Sequence, residues 1–259
     1  MRGILNAVPV TVLMTMAIVL TLAVVVLVVW LVRRAVPATR EGFHAEISAP
    51  MLGVVAALFG LILAFVIIIA YQNFLDAQKN VSREADALAS IVRDSASFPA
   101  PGGGNVRRSV GTYVRTVTDH EWIRMRDGDD SPLAKRGLGG IFAAFRTVKP
   151  RTPEEKAFYD DAVRKLNDAL EARRDRLDTA GGGLPRDMWI LLLFSSFVIL
   201  AYAVLVGSPS FWFHVLGPAA IAMVIVVSLV VLADLSYPFS GDVAISPDDF
   251  RTGALQQFF

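Results

Sequence analysis

The chain has 259 residues, 54% of them apolar, and carries 25 Lys and Arg against 24 Asp and Glu. Its mean hydropathy of +0.51 exceeds what soluble domains carry, so we expect much of the apolar surface to be buried in lipid. The balanced charge leaves no basic surface for nucleic acid. No Cys and only three His exclude disulfides and iron–sulfur clusters and disfavour a metal site.

Four segments are long enough and apolar enough to cross a membrane. They are Val10–Val32, Pro50–Ala70, Met188–Val206 and Phe211–Ala233. The first is too long for the apolar region of a cleaved signal peptide, which spans about 7–15 residues. The spans form two hairpins, 1–70 and 188–233, with a polar domain 71–187 between them and a segment 234–259 after them.

Four crossings place both termini and the polar domain on the same side of the membrane. Arg33, Arg34 and Arg40 lie in the short link of the first hairpin, on the opposite side. Compared with Arg2 alone before the first span, these three would place the link in the cytoplasm and the domain in the periplasm. More Lys and Arg lie near the span ends on the domain side than in this link, which favours a cytoplasmic domain.

The second span continues into the polar domain without a helix breaker. Its continuation has an apolar stripe at alternating steps of four and three residues, which predicts one helix of roughly 40 residues; the stripe consists of Phe74, Gln78, Val81, Ala85, Leu88 and Val92. We expect this helix to stop at Phe98–Gly104, where prolines and three glycines follow one another, and Asn105 to cap the next helix.

The rest of the domain also has helical periodicity. The next helix has an apolar stripe that extends to His120 or Glu121 and consists of Val106, Val110, Tyr113 and Val117. A turn at Arg126–Asp130 follows. It precedes a short helix that contains Leu133, Ile141, Phe142 and Phe145. Thr152-Pro153-Glu154-Glu155 predicts a capping box that opens a helix to about Asp178. This helix has a largely apolar face of Phe158, Ala162, Leu166, Ala169, Arg173 and Leu177. Gly181–Gly183 breaks the chain and Pro185 starts the third span. No segment alternates with period two, so we predict an all-α protein.

The polar motifs do not assemble into a recognisable catalytic site. Gly102–Gly104 and Gly137-x-Gly139-Gly140 lack the preceding strand and the Lys-Ser/Thr pair of a phosphate-binding loop. Asp119-His120-Glu121 is expected on a solvated helix face. We therefore expect neither an enzyme nor a bound cofactor.

Two observations concern the membrane itself. The first three spans contain no ionisable residue, which disfavours ion-coupled transport. His44, Glu46 and His214 could meet at one membrane face as a pH-sensitive group, although an interfacial histidine without such a role is the simpler interpretation.

The second span has two distinct surfaces. Gly53, Ala57, Gly60 and Ala64 form a track of small residues that suits close helix association. Roughly 100° around the helix lie bulkier candidates for the lining of a pore, Leu58, Leu61, Phe65, Ile68 and Gln72. Such a surface could form a hydrophobic constriction around an axis of several copies. The simpler alternative is contact with lipid or packing within one chain.

The segment after the fourth span contains turn-forming residues interleaved with apolar ones. The apolar positions are Tyr237, Phe239, Val243, Ile245 and Phe250. We expect an ordered turn that docks on the helical domain and caps the membrane mouth.

Two blocks of sequence resemble the bacterial bestrophin-like domain family of unknown function. One runs from Leu63-Ala64-Phe65-Val66 through Tyr71-Gln72-Asn73-Phe74 to Glu84-Ala85-x-x-Leu88, and the other from Pro238-Phe239-Ser240-Gly241-Asp242-Val243 to Ser246-Pro247-x-x-Phe250. Arg33-Arg34 and Arg164-x-Leu166-Asn167 are also similar to that family. The resemblance covers nearly the whole chain.

The family is distantly similar to bestrophins, which are pentameric anion channels with two membrane hairpins, cytosolic termini and a cytosolic helical domain. The resemblance implies a homo-oligomer, a pentamer by analogy, in a bacterial inner membrane, conducting inorganic anions along the second helix. Leu61 and Phe65 would then form the restriction, with Lys79, Arg83, Asp234 and Asp242 as candidates at the pore mouth. Asp242–Asp249 shows no convincing calcium loop. The alternative function is a non-conducting scaffold or signalling module whose helical domain binds a partner.

Overall fold

The computed structural model describes residues 2–40 and 45–259, and within this part of the chain all regular secondary structure is helical, with no strand. The helices are α1 (Arg2–Ala7), α2 (Val10–Ala35), α3 (Ala45–Asp94), α4 (Gly102–Thr116), α5 (Trp122–Met125), α6 (Pro132–Phe145), α7 (Pro153–Gly181), α8 (Arg186–Leu205) and α9 (Phe211–Leu235). A π-helical turn, Val117–Glu121, joins α4 to α5. The all-α fold class is thereby confirmed.

Residues 7–72 and 184–236 form the first of two compact units, which we call the membrane unit. Among the described residues, four helices have the length and hydropathy to cross a membrane, and each overlaps one of the segments proposed from the sequence. Two apolar clusters hold this unit together. In one cluster, α3 packs on α8 and α9 through Phe59, Leu63, Val66 and Ala70; in the other, Val25 and Val29 of α2 pack on α9 and α8.

The second span and its polar continuation form one helix, as the unbroken periodicity predicts. This helix, α3, has 50 residues and contributes to both units. It begins at Ala45, five residues before the expected start, so that Pro50 lies within it. Proline is tolerated better near the start of a helix than in its middle, because less of the helical hydrogen-bond ladder precedes it.

Residues 2–6, 73–183 and 237–259 form the second unit, which we call the helical unit. Its core is built on the stripes read from the sequence. Ala77, Val81 and Leu88 of α3 and Val106 and Val110 of α4 are essentially inaccessible to solvent. They belong to one continuous cluster that also includes residues of α6 and α7.

The glycine run after α3 differs from its expected structure. Gly102–Gly104 forms the first turn of α4, whereas the sequence predicted that Asn105 would cap a helix starting after it. Close packing explains the glycines: a Cβ atom on Gly103 would collide with the carbonyl oxygen of Ser95, and one on Gly102 would lie 3.1 Å from Val148. The prediction was wrong because it treated glycine only as a helix breaker, whereas here its missing side chain lets two segments approach.

The capping box of α7 is present. The Thr152 hydroxyl accepts a hydrogen bond from the amide of Glu155 at 3.1 Å, and the Glu155 carboxylate accepts one from the amide of Thr152. These bonds satisfy amides at the helix start that have no partner within the helix. The helix ends at Gly181, three residues beyond the expected position.

Both terminal segments pack within the helical unit. Arg2 donates to the carbonyls of Asp127 and Gly182, and Asn6 accepts a hydrogen bond from the amide of Gly241. After α9, four apolar side chains, Phe239, Ile245, Phe250 and Leu255, are buried in the core of this unit. Val243, an expected docking residue, is 54% exposed.

Candidate pore helix and the ionic network on its extension

The membrane part of α3 presents one buried and two exposed faces. The buried face consists of Phe59, Leu63, Val66 and Ala70, each at most 6% exposed. On the far side of the helix, Leu58, Leu61, Phe65 and Ile68 are 51–59% exposed, and Gln72 is exposed as well. Within one chain, about half or more of the surface of Leu58, Leu61, Phe65 and Ile68 is therefore left uncovered.

The track of small residues is also uncovered. Gly53, Ala57, Gly60 and Ala64 are all exposed. A Cβ atom added at Gly53 or at Gly60 would meet no other atom within 4 Å. Packing inside the chain therefore gives no reason for glycine at either position, although glycine costs about 1 kcal/mol relative to alanine inside a helix.

The four candidates for the pore mouth have different surroundings. Lys79 and Arg83, on the extension of α3 in the helical unit, are exposed, as is Asp242 after α9. Asp234, near the end of α9 in the membrane unit, is only 9% exposed.

The proposed pH-sensitive group at one membrane face consists of two histidines and a glutamate, of which the structure describes the side chain of His214. His44 and the side chain of Glu46 lie outside the described residues. His214 is 2% exposed in the membrane unit. Its Nε2 lies 2.8 Å from the carbonyl of Val204 and its Nδ1 lies 3.2 Å from a guanidinium nitrogen of Arg33. Because a guanidinium can only donate, this geometry assigns the proton of the neutral ring to Nε2.

A buried ionic network lies where α3 crosses the core of the helical unit. Glu84, Glu121 and Arg176 are fully buried. The Arg176 guanidinium donates to Glu84 at 2.7 and 3.2 Å and to Glu121 at 2.9 Å. Arg173 donates to the second oxygen of Glu121. Two cations thus balance two carboxylates, which reduces the cost of burying them.

Neighbouring groups complete the coordination of these charges. The Tyr113 hydroxyl donates to Glu84 at 2.6 Å, and the backbone amide of Ser131 donates to Glu121 at 3.3 Å. The guanidinium carbon of Arg176 lies 5.3 Å from the Trp122 ring centroid and 5.9 Å from that of Phe250. The network therefore joins α3, α4, α7, the π-helical turn and the segment after α9.

The electrostatics agree with a network of fixed charges. Burial, and then the adjacent Glu84, raise the pKa of Tyr113 well above its usual value, so the phenol stays protonated as a donor. Burial tends to lower the pKa of Arg176, but Glu84 and Glu121 outweigh it and raise the pKa, so this side chain remains a cation.

This network corrects one sequence prediction. Asp119 and His120 are exposed as expected, but Glu121 is completely buried, so the expectation of a solvated face was wrong for this residue. Of the two residues proposed to end the apolar stripe, His120 and Glu121, it is Glu121 that is buried. The apolar stripe of α4 simply ends on a carboxylate. Arg173, on the apolar face of α7, was an available signal, because a charge on a buried face requires a partner of opposite sign.

The ionic network holds its charges in fixed ion pairs and does not have the arrangement of a catalytic site. Within residues 2–40 and 45–259, no group of three His, Cys, Asp or Glu residues is placed to hold a metal ion.

Solved structures resemble this fold over nearly its whole length. Two are structures of a bacterial bestrophin homologue from Klebsiella pneumoniae. A variant with one substitution is 13% identical, with a TM-score of 0.70, and covers 93% of this chain and 98% of its own. The structure phased with zinc is 12% identical, with a TM-score of 0.67, over 94% and 97%. A third, the crystal structure of a membrane protein with one substitution, is 12% identical, with a TM-score of 0.68, over 93% of this chain and 97% of its own.

Sequence comparison defines the family directly. No curated protein matches the chain. The family model described as Bestrophin-like domain matches residues 19–250, which include α3 and both blocks of sequence that carried the resemblance. The protein is therefore a multi-pass membrane protein that belongs to the Bestrophin-like family.

Proposed function

We propose that this protein is a homo-oligomeric anion channel in which α3 of each copy lines a central pore. The observation that carries the proposal is the surface of α3: one face packs on α8 and α9, while the opposite face, including Leu61 and Phe65, is uncovered in the single chain. A ring of such helices would turn bulky apolar side chains toward its axis, as in pores that gate by dewetting. Family membership supports placing the chain among ion channels.

The small-residue track is proposed as the contact between copies. Gly53 and Gly60 have open space around them in one chain, and small residues let two helix backbones approach closely in a membrane. The track lies between the buried face and the proposed lining, where the neighbour in a ring would pack.

Charges at the ends of the pathway suit an anion. Lys79 and Arg83 follow the membrane part of α3 and are exposed, so their positive charge would raise the local concentration of a permeating anion. Asp234 and Asp242 are the remaining candidates at the mouth.

Flux from reconstituted vesicles tests conduction. Purified protein in liposomes should release chloride faster than empty vesicles do. Phe65→Ala should raise the conductance, because it widens the proposed restriction, while Leu20→Ala on α2, which is 66% exposed, serves as the matched control. Absence of flux at verified reconstitution would refute the channel and favour the scaffold alternative. A Phe65→Ala protein with unchanged conductance and selectivity would remove Phe65 from the restriction.

Oligomeric state tests the association face separately. Gly60→Leu should shift the protein toward smaller species in light scattering of the detergent-solubilised protein. Gly217→Leu on α9 is the matched control, because a Cβ atom there also meets nothing within 4 Å. Equal effects of the two substitutions would contradict a specific role for the track.

Labelling tests the proposed orientation, in which the helical unit faces the cytoplasm of a bacterium. The chain contains no cysteine, so single cysteines at Asp130 and Arg40 report without background. Only the cysteine at Arg40 should react with an impermeant reagent in intact cells. Reaction at Asp130 would reverse the orientation.

A further inference from the structure

A groove between α4 and α6 has the composition of an anion site. It encloses about 490 Å³ and is lined on α4 and the following turn by Arg108, Ser109, Thr112, Thr116 and His120, and on α6 by Leu133, Arg136, Gly137 and Gly140. Two guanidiniums and an imidazole thus face a space with no carboxylate in its lining. The volume lies within the range of small-molecule sites, roughly 300–1,000 Å³.

The two arginines of the groove have exposed side chains. Within the described residues, neither Arg108 nor Arg136 makes a side-chain hydrogen bond or an ion pair, and both are exposed. They contrast with Arg173 and Arg176, whose charges are held by Glu84 and Glu121. A guanidinium without a carboxylate partner keeps its N–H donors available for a ligand. The planar arrangement of these donors matches the oxygens of a phosphate group.

The glycines of α6 shape the groove. A Cβ atom on Gly137 would lie 3.4 Å from the Tyr113 backbone, so this position is where the two helices touch. One turn later, a Cβ atom on Gly140 would meet nothing within 4 Å. Glycine destabilises a helix relative to alanine. No packing contact explains the glycine at position 140, because this position borders the open groove. Leu133 and the methyl groups of Thr112 and Thr116 give this space an apolar part.

A second cleft on the same unit lacks this selectivity. It encloses about 610 Å³ and is lined by three cations, Lys135, Arg173 and Arg174, and by three carboxylates, Asp129, Asp130 and Asp178. Because opposite charges are equally represented, this cleft does not distinguish an anion from a cation.

We propose that the groove between α4 and α6 binds a small organic phosphate. Arg108 and Arg136 contact the phosphoryl oxygens, Ser109 and His120 supply further polar contacts, and the organic part lies over Leu133 and Gly140. The site belongs to the helical unit alone and does not depend on ion conduction.

Calorimetric titration of the full-length protein with phenyl phosphate tests the proposal, because this probe combines a phosphate dianion with an apolar ring. The buffer contains neither phosphate nor sulfate, and benzyl alcohol serves as the uncharged comparison. The wild type should bind phenyl phosphate but not benzyl alcohol. The double variant Arg108→Gln/Arg136→Gln should lose at least tenfold in affinity, and Gly140→Leu should lose at least as much by filling the groove.

Gly139→Leu is the matched control, since Gly139 is exposed, has the same open surroundings and does not line the groove. It should bind as the wild type does. No binding by the wild type, equal binding by all variants, or a groove covered by a second copy in the oligomer would overturn the proposal. If Gly140→Leu fails to fold, the arginine variant alone decides, because both arginines are exposed and make no side-chain hydrogen bond or ion pair among the described residues.

Discussion

Replacing Arg176 by methionine should destabilise the helical unit strongly. Methionine retains much of the side-chain volume but not the charge. Glu84 would lose its hydrogen bonds at 2.7 and 3.2 Å and keep only the one from the Tyr113 hydroxyl. Glu121 would keep Arg173 and the amide of Ser131. The substitution therefore leaves one buried carboxylate, Glu84, without a cation.

The expected cost follows from this orphaned charge. Breaking a fully buried ion pair by removing one partner costs about 3–5 kcal/mol, and both Glu84 and Arg176 are 0% exposed. That loss is a large fraction of a typical stability of roughly 5–15 kcal/mol. At about 2–4 °C for each kcal/mol in a chain of this size, the unfolding midpoint should fall by roughly 6–20 °C.

Thermal unfolding of the detergent-solubilised protein measures the midpoint, with Arg176→Met compared against Glu84→Gln/Arg176→Met. Both proteins lose the guanidinium and its contacts with Trp122 and Phe250. They differ in whether a charge remains at position 84. The double variant should recover a substantial part of the lost stability, because a neutral amide is cheaper to bury than an unpaired carboxylate. A double variant no more stable than Arg176→Met would refute the electrostatic explanation.

Three further predictions concern stability. Burial, and then the nearby Asp161, raise the pKa of Asp94 above its usual 3.8, so the ionised carboxylate destabilises the folded state at pH 7. Asp94→Asn should therefore raise the unfolding midpoint at pH 7. This gain should vanish as the pH falls toward 3.8, because the carboxyl group is then protonated in the wild type. A midpoint gain that persists at that pH would contradict this assignment. Thr152→Ala removes the cap of α7 and should cost about 0.5–2 kcal/mol in chemical denaturation. Phe250→Ala empties a fully buried position and should cost about 3–5 kcal/mol, whereas Val243→Ala, at an exposed position, should leave the unfolding midpoint unchanged; equal shifts would argue against docking through Phe250.

Periodicity and local signals were sufficient to predict most of the helical architecture. The stripe from Phe74 to Val92 identified α3 as one helix beyond the membrane, because a helix that is buried on one side must repeat apolar residues every three to four positions. The capping box at Thr152 located the start of α7 for a similarly local reason. The turn at Gly102–Gly104 was missed because its cause is the close approach of Ser95 and Val148, which no local pattern records.

The ionic network could not be derived from sequence spacing. Glu84, Glu121 and Arg176 come from three distant parts of the chain, and the sequence offers many equivalent pairings of its charged residues. Only burial distinguishes these three from the charges on solvated faces. The faces of α3, by contrast, could be assigned from helical geometry. What covers Leu61 and Phe65 depends on neighbouring molecules, so the sequence of one chain does not determine it.

The helical unit is assembled from chain segments that are synthesised at different times. Its core needs Phe239, Phe250 and Leu255, which follow α9, and about 50 residues of membrane unit, 184–236, separate them from α7. At about 5–20 residues per second, translation of that stretch takes roughly 3–10 s. During this interval Trp122 lacks both of its aromatic partners, Phe239 and Phe250. Biogenesis therefore has an imposed order, in which the second hairpin leaves the ribosome before the helical unit can close, and the unfinished core is open to chaperones and proteases until then.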